Sequence, residues 1–142
     1  MASSRNIYVL VALALIGGAV WWTQFRTMPH HHMTATSAAM VDIVIPDLSE
    51  QASAGKKAFD ANCAVCHGQN AAGQDGVAPP LVHKIYEPNH HGDRAFYLAA
   101  KRGVRQHHWK FGDMPPVGSV DEGEVGKIIA YVRELQRANG IH

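Results

Sequence analysis

Apolar positions recur at helical spacing near the C-terminus. Val125, Ile128, Ile129, Val132 and Leu135 form one stripe, with Tyr131 beside Ile128 and Leu135. Ser119-Val120-Asp121-Glu122 has capping-box spacing ahead of the stripe, and Asn139-Gly140 offers a stop behind it, so a final helix is predicted between them. A first helix is predicted from about Glu50 to Asn62. Ser49 or Asp47 can cap it, and Asp47 with Glu50 has the spacing of a capping box. Ala52, Gly55 and Phe59 share one face of this helix. A glycine inside a helix costs about 1 kcal/mol relative to alanine, so Gly55 is expected where the final helix comes close. A middle helix of about Asp93 to Arg102 follows a break at Gly92, draws apolar character from Phe96, Leu98, Ala99 and Ala100, and ends at Gly103. Nothing between Gly68 and Gly92 alternates as a strand. The pattern predicts an all-α domain with long loops.

The N-terminal pattern is of another kind. Ile7 to Trp22 is an uninterrupted apolar run of sixteen residues, which Thr23, Gln24 and Phe25 extend to nineteen. As a helix it would span roughly 28 Å at about 1.5 Å per residue, close to a bilayer core of about 30 Å. The run is longer than a usual signal-peptide core, and Trp21-Trp22 suit the far headgroup level, so residues 1–25 are expected to be an uncleaved single-pass anchor. The rival is a cleaved leader, for which Gly17-Gly18-Ala19 offers a site. Residues 26–45, rich in Thr, Ser, Ala, Met and His, read as a flexible linker, which leaves residues 46–142 as the folded domain.

Charge narrows the function classes. The net charge of the 142 residues is +1, but all twelve carboxylates lie at or after Asp42 and share that region with eleven Lys and Arg. A nearly neutral domain lacks the basic stripe that nucleic acid requires.

The candidate chemistry lies in Cys63-Ala64-Val65-Cys66-His67. Two thiols two residues apart can reach two vinyl groups along one side of a porphyrin, and the imidazole that follows falls under the iron. A zinc site needs further ligands, and these are the only two cysteines. A thioredoxin-like dithiol needs a βαβ context, which is absent. The motif therefore predicts one covalently bound haem c with His67 as an iron ligand. Met114, in Gly112-Asp113-Met114-Pro115-Pro116, lies 47 residues beyond His67 and is the candidate sixth ligand.

With these landmarks, the chain resembles a class I (monohaem) cytochrome c from about Pro46 to the C-terminus. The resemblance rests on the haem motif, Gly55 and Phe59 before it, Ala78-Pro79-Pro80-Leu81, Arg102-Gly103-Val104, the Met-Pro loop, and Ile128 with Tyr131. It implies three to four helices around one haem. It implies a proline carbonyl accepting from His67, with Pro79 the best match and Pro80 the alternative, and Leu81 packed against the haem. Met114 is preferred as distal ligand over His107 and His108, and also over His83, His90 and His91. Trp109, with Arg105 and Lys110, is a candidate partner for a haem propionate. The resemblance further implies export, a haem domain on the periplasmic side of the cell membrane, and one-electron transfer between redox protein partners, with neither enzymatic activity nor a small-molecule substrate. The alternatives are a fixed subunit of a larger membrane oxidoreductase, an enzyme such as a peroxidase, which would need an open sixth position, and copper handling through Met28-Pro29-His30-His31-His32-Met33 and the paired histidines.

Overall fold

Among residues 38–142 four α-helices form, three of them where the apolar periodicity and its punctuation predict. In the computed structural model, which describes Trp21 and residues 38–142, these are α1 (Glu50–Asn62), α2 (Ala64–His67), α3 (Asp93–Arg102) and α4 (Glu122–Ala138). Short 3-10 turns at Gln69–Ala71 and Lys84–Tyr86 interrupt the loop between α2 and α3. Among the described residues there is no strand, only two isolated bridges, so the all-α expectation holds there. The apolar run 7–25 lies, Trp21 apart, outside the described residues. Among those described, no helix is long and apolar enough to cross a membrane.

The domain is built on the crossing of α1 and α4. At Gly55 an added Cβ would collide with the Lys127 carbonyl on α4, so only glycine permits the approach. One turn on, Phe59 and Tyr131 pack with ring centroids 5.6 Å apart at 60°. Ala52, Phe59, Tyr131, Val132 and Leu135 are fully buried, and Ile128 joins them in one cluster. The Tyr131 hydroxyl donates to Asn70 Oδ1 at 3.3 Å, and burial pushes its pKa up to about 12, with Asp60 adding to the rise.

Of the two candidate caps for α1, Ser49 serves, accepting from the Ala52 N–H at 3.2 Å. Two expectations need correction. Asp121 caps α4 and forms the capping box with Glu124, two residues later than the pattern suggested. Ser119 is occupied elsewhere, donating to Asn62 Oδ1 at 2.8 Å. The segment read as linker up to Ile45 is held to the domain from Met40 onward. The Met40 N–H donates to Ala72 O at 3.0 Å, and Val44 exchanges two 2.9 Å bonds with the Asn139 side chain.

The loop between α2 and α3 is fastened from behind by two polar side chains of α4. Arg133, 7 % exposed, donates to Asp93 Oδ1 (2.9 Å), Tyr86 O (2.7 Å), His91 O (2.6 Å) and Gln136 Oε1 (2.6 Å). Its guanidinium also lies 4.9 Å over the Phe96 ring. Gln136 donates to Leu81 O at 2.8 Å and Tyr86 O at 3.0 Å. Buried carbonyls of an irregular loop need such donors, because no ladder supplies them.

Candidate functional site

Helix α2 is a single turn, and together with its N-cap Cys63 it carries the whole Cys-x-x-Cys-His motif. Cys63 ends α1 and begins α2, with its N–H bonded to Phe59 O at 2.8 Å. Cys63 is half-buried and Cys66 exposed. Burial pushes the Cys63 thiol up to about 11, and neighbouring Cys66 adds to the rise. The turn stops after His67 because Gly68 adopts φ 72°, where a side chain would be strained and would press on Gly73 O. Gln74 reaches back to cap the turn, its amide nitrogen 2.8 Å from Val65 O and 3.1 Å from Cys66 O. Sequence reading did not foresee this cap.

His67 is oriented by one bond. Its Nδ1 lies 2.8 Å from Pro79 O. With Nδ1–H donating there, Nε2 keeps its lone pair, the state required of a metal ligand. Burial pulls the His67 pKa below its usual value, and the Pro79 carbonyl opposes that only in part, so the ring is neutral. The double-proline ambiguity resolves by position. Pro79 presents its carbonyl to His67, while Pro80 is fully buried against Gly73.

Met114 is set by backbone. Val104 and Met114 exchange two N–H···O bonds of 2.9 Å, a bridge that closes the intervening loop. Gly103, at φ 72°, allows the chain to pass the Met114 carbonyl, which an added Cβ would strike.

Cys63, Cys66, His67, Pro79, Leu81, Trp109 and Met114 all line one cavity of about 510 Å³. Its remaining wall is mainly apolar, with Phe59, Phe96, Val104, Phe111 and Ile128 among the contributors. That size lies within the roughly 300–1,000 Å³ of cofactor and ligand pockets. Arg105 and Lys110 are exposed and do not line it. His107 and His108 reach its rim, where their rings gather with those of His90 and His91. Desolvation, and then His107, His91 and His90, pull the His108 pKa down.

One atom in this cavity is unsatisfied. Trp109 Nε1 is buried without an acceptor, a condition that costs about 1–3 kcal/mol. The indole is wedged between neighbours, edge-on to His83 at 5.3 Å and stacked on Phe111 at 5.7 Å. Tyr86, absent from the sequence reading, also lines the cavity. Burial raises its pKa to about 12, while Trp109 acts on its hydroxyl in the opposite sense without reaching bonding geometry. A donor waiting for an acceptor, two thiols and a neutral imidazole on one turn, and an apolar cavity fit a porphyrin with carboxylate arms.

A family model described as Cytochrome c matches residues 52–136, more than half of the chain. No curated protein and no solved structure matches it. The matched span begins within α1 and ends within α4, so it takes in the helix crossing and every residue of the cavity named above. The chain therefore belongs to the cytochrome c family, as a class I (monohaem) member that binds one covalent c-type haem and carries electrons with it.

Proposed function

We propose that this protein is a membrane-tethered one-electron carrier whose haem is attached through Cys63 and Cys66 and ligated by His67 and Met114. The observation that carries the reading is that all four residues line one apolar cavity, each held by its own local device. When bound, the haem supplies a one-electron iron couple. The chain's part is to hold both ligands still and exclude water. His67 cannot rotate without losing the 2.8 Å contact to Pro79, and this bond strengthens the ring as a donor. Met114 cannot drift without opening both bonds to Val104. A neutral thioether favours ferrous iron and raises the potential relative to a second imidazole. If His67 and Met114 both held the iron, no position would be left for a substrate, which supports electron transfer rather than catalysis. Trp109 Nε1 supplies a donor for a haem propionate.

The apolar run 7–25 supports tethering, with the haem domain on the periplasmic side and redox proteins as donor and acceptor. A tether raises the effective concentration of membrane-bound partners.

The ligand set is tested by Met114→Ala. The wild type should be low-spin and six-coordinate in both oxidation states, with the near-infrared charge-transfer band of a thioether-ligated ferric haem. The variant should lose that band and become high-spin or take up exogenous imidazole. A bis-imidazole spectrum in the wild type, abolished by His107→Ala or His108→Ala, would overturn the assignment.

A further inference from the structure

Four imidazoles from two separate loops meet at the rim of the cavity, and the haem site uses none of them. His90, His91 and His108 each bring a ring nitrogen within 4.8 Å of the other two. His90 and His108 have ring centroids 5.2 Å apart, and His91 and His108 are 5.3 Å apart. His107 stands beside them, 4.3 Å from His108 and 5.9 Å from His91.

Their orientation is not that of casual surface residues. His91 Nδ1 lies 2.7 Å from Ile85 O, and His107 Nδ1 lies 2.9 Å from Arg105 O. With Nδ1–H donating to a carbonyl, Nε2 carries the lone pair, which is the outer arrangement of histidines that bind metal. The loops themselves are braced. Arg133 donates to His91 O at 2.6 Å, the Gln106 N–H donates to Asp113 Oδ1 at 2.9 Å, and the Gly112 N–H donates to Gln106 Oε1 at 3.0 Å. The cluster contains no carboxylate, so it suits neither Ca²⁺ nor Mg²⁺, which want oxygen ligands. An all-imidazole set selects late first-row divalent ions, Cu²⁺ ahead of Zn²⁺ by intrinsic affinity.

We propose that His90, His91 and His108 bind one divalent transition-metal ion at the mouth of the haem cavity, with His107 within reach as a fourth ligand. A tetrahedral ion at roughly 2.0–2.1 Å from each nitrogen needs the nitrogens about 3.4 Å apart. The half-buried, tethered His91 is the fixed member, and rotation of the exposed His90 and His108 rings closes the difference. The site rests on Met114 holding the iron, because His108 as distal ligand would be lost to the cluster.

The test uses the full-length, haem-loaded protein with His30, His31 and His32 replaced by alanine, which removes the other histidine cluster in the sequence. Zn²⁺ is titrated by calorimetry, and Cu²⁺ is followed by electron paramagnetic resonance. One equivalent should bind, with coupling to three or four nitrogens for Cu²⁺. His90→Ala, His91→Ala and His108→Ala should each weaken binding roughly 10- to 100-fold, the range seen even for outer-shell losses, while His142→Ala should not. An unchanged haem spectrum certifies the fold of each variant. If His91→Ala alters that spectrum, the exposed His90 and His108 decide the matter. Unchanged affinity in His90→Ala and His108→Ala, or equal loss in His142→Ala, would overturn the site without touching the electron-carrier reading.

Discussion

Two glycines in helix interiors should respond to the same substitution with opposite signs. Replacing glycine by alanine inside a helix stabilises it by about 1 kcal/mol on propensity alone. At Gly55 the new methyl would stand inside the contact distance of the Lys127 carbonyl, a backbone group of α4 that cannot turn aside. Overpacking costs about 1–3 kcal/mol, and the upper end applies where the obstacle is main chain. The net expectation for Gly55→Ala is a loss of about 2 kcal/mol. At Gly126 the new methyl would lie 2.9 Å from the Tyr97 hydroxyl, the far end of a side chain that is 36 % exposed and free to swing. Gly126→Ala should therefore be neutral or gain up to about 1 kcal/mol. Urea unfolding of the haem-loaded protein, followed by far-ultraviolet circular dichroism, measures both as midpoint shifts at a common slope. A Gly55→Ala protein as stable as wild type would show that the helices do not meet there. A Gly126→Ala protein equally destabilised would show that the obstacle is not what sets the cost.

Arg133→Met keeps the apolar stem but leaves His91 O without its donor and Tyr86 O with only Gln136. A loss of about 3 kcal/mol is expected in the same urea assay, and a change under 1 kcal/mol would refute the bracing role. Burial and iron ligation both require a neutral His67 ring, so its contribution to stability is complete above about pH 6.5 and is lost as the pH falls below it. Stability rising as the pH drops below 6.5 would contradict this. Intact mass of the membrane-extracted protein should show residues 7–25 retained, and a mature N-terminus at Val20 would remove the tether.

What could be read in the sequence was whatever is specified locally. The bounds of α1 and α3 follow from the pattern itself, and at Gly103 the stop is a glycine with φ near 72° that no other residue would favour. The α4 cap was displaced because Ser119 and Asp121 both fit the spacing, and a contact with Asn62 on α1 decides between them. A helical stripe treats polar positions as solvent-facing, so it gives no sign of Arg133 and Gln136. Their partners are backbone carbonyls, which carry no sequence signal. The folded domain begins before Pro46 for a similar reason, since Val44 meets Asn139 across 95 residues. The motif placed Cys63, Cys66 and His67 together by spacing alone. That Trp109 faces the same cavity, and that His90 and His91 meet His107 and His108, required two loops to fold toward each other.

The Val104–Met114 bridge has an evolutionary meaning. Because two main-chain bonds fix Met114, neither depends on the identity of residues 105–113. Exposed positions in that stretch that line neither the cavity nor the histidine cluster, such as Arg105 and Lys110, can change charge while the thioether keeps its place, provided Gly103 remains to let the chain pass. Selection on the rim of this cavity can therefore retarget the protein to a new partner without displacing Met114, so partner choice and ligand placement are separately heritable on one short loop.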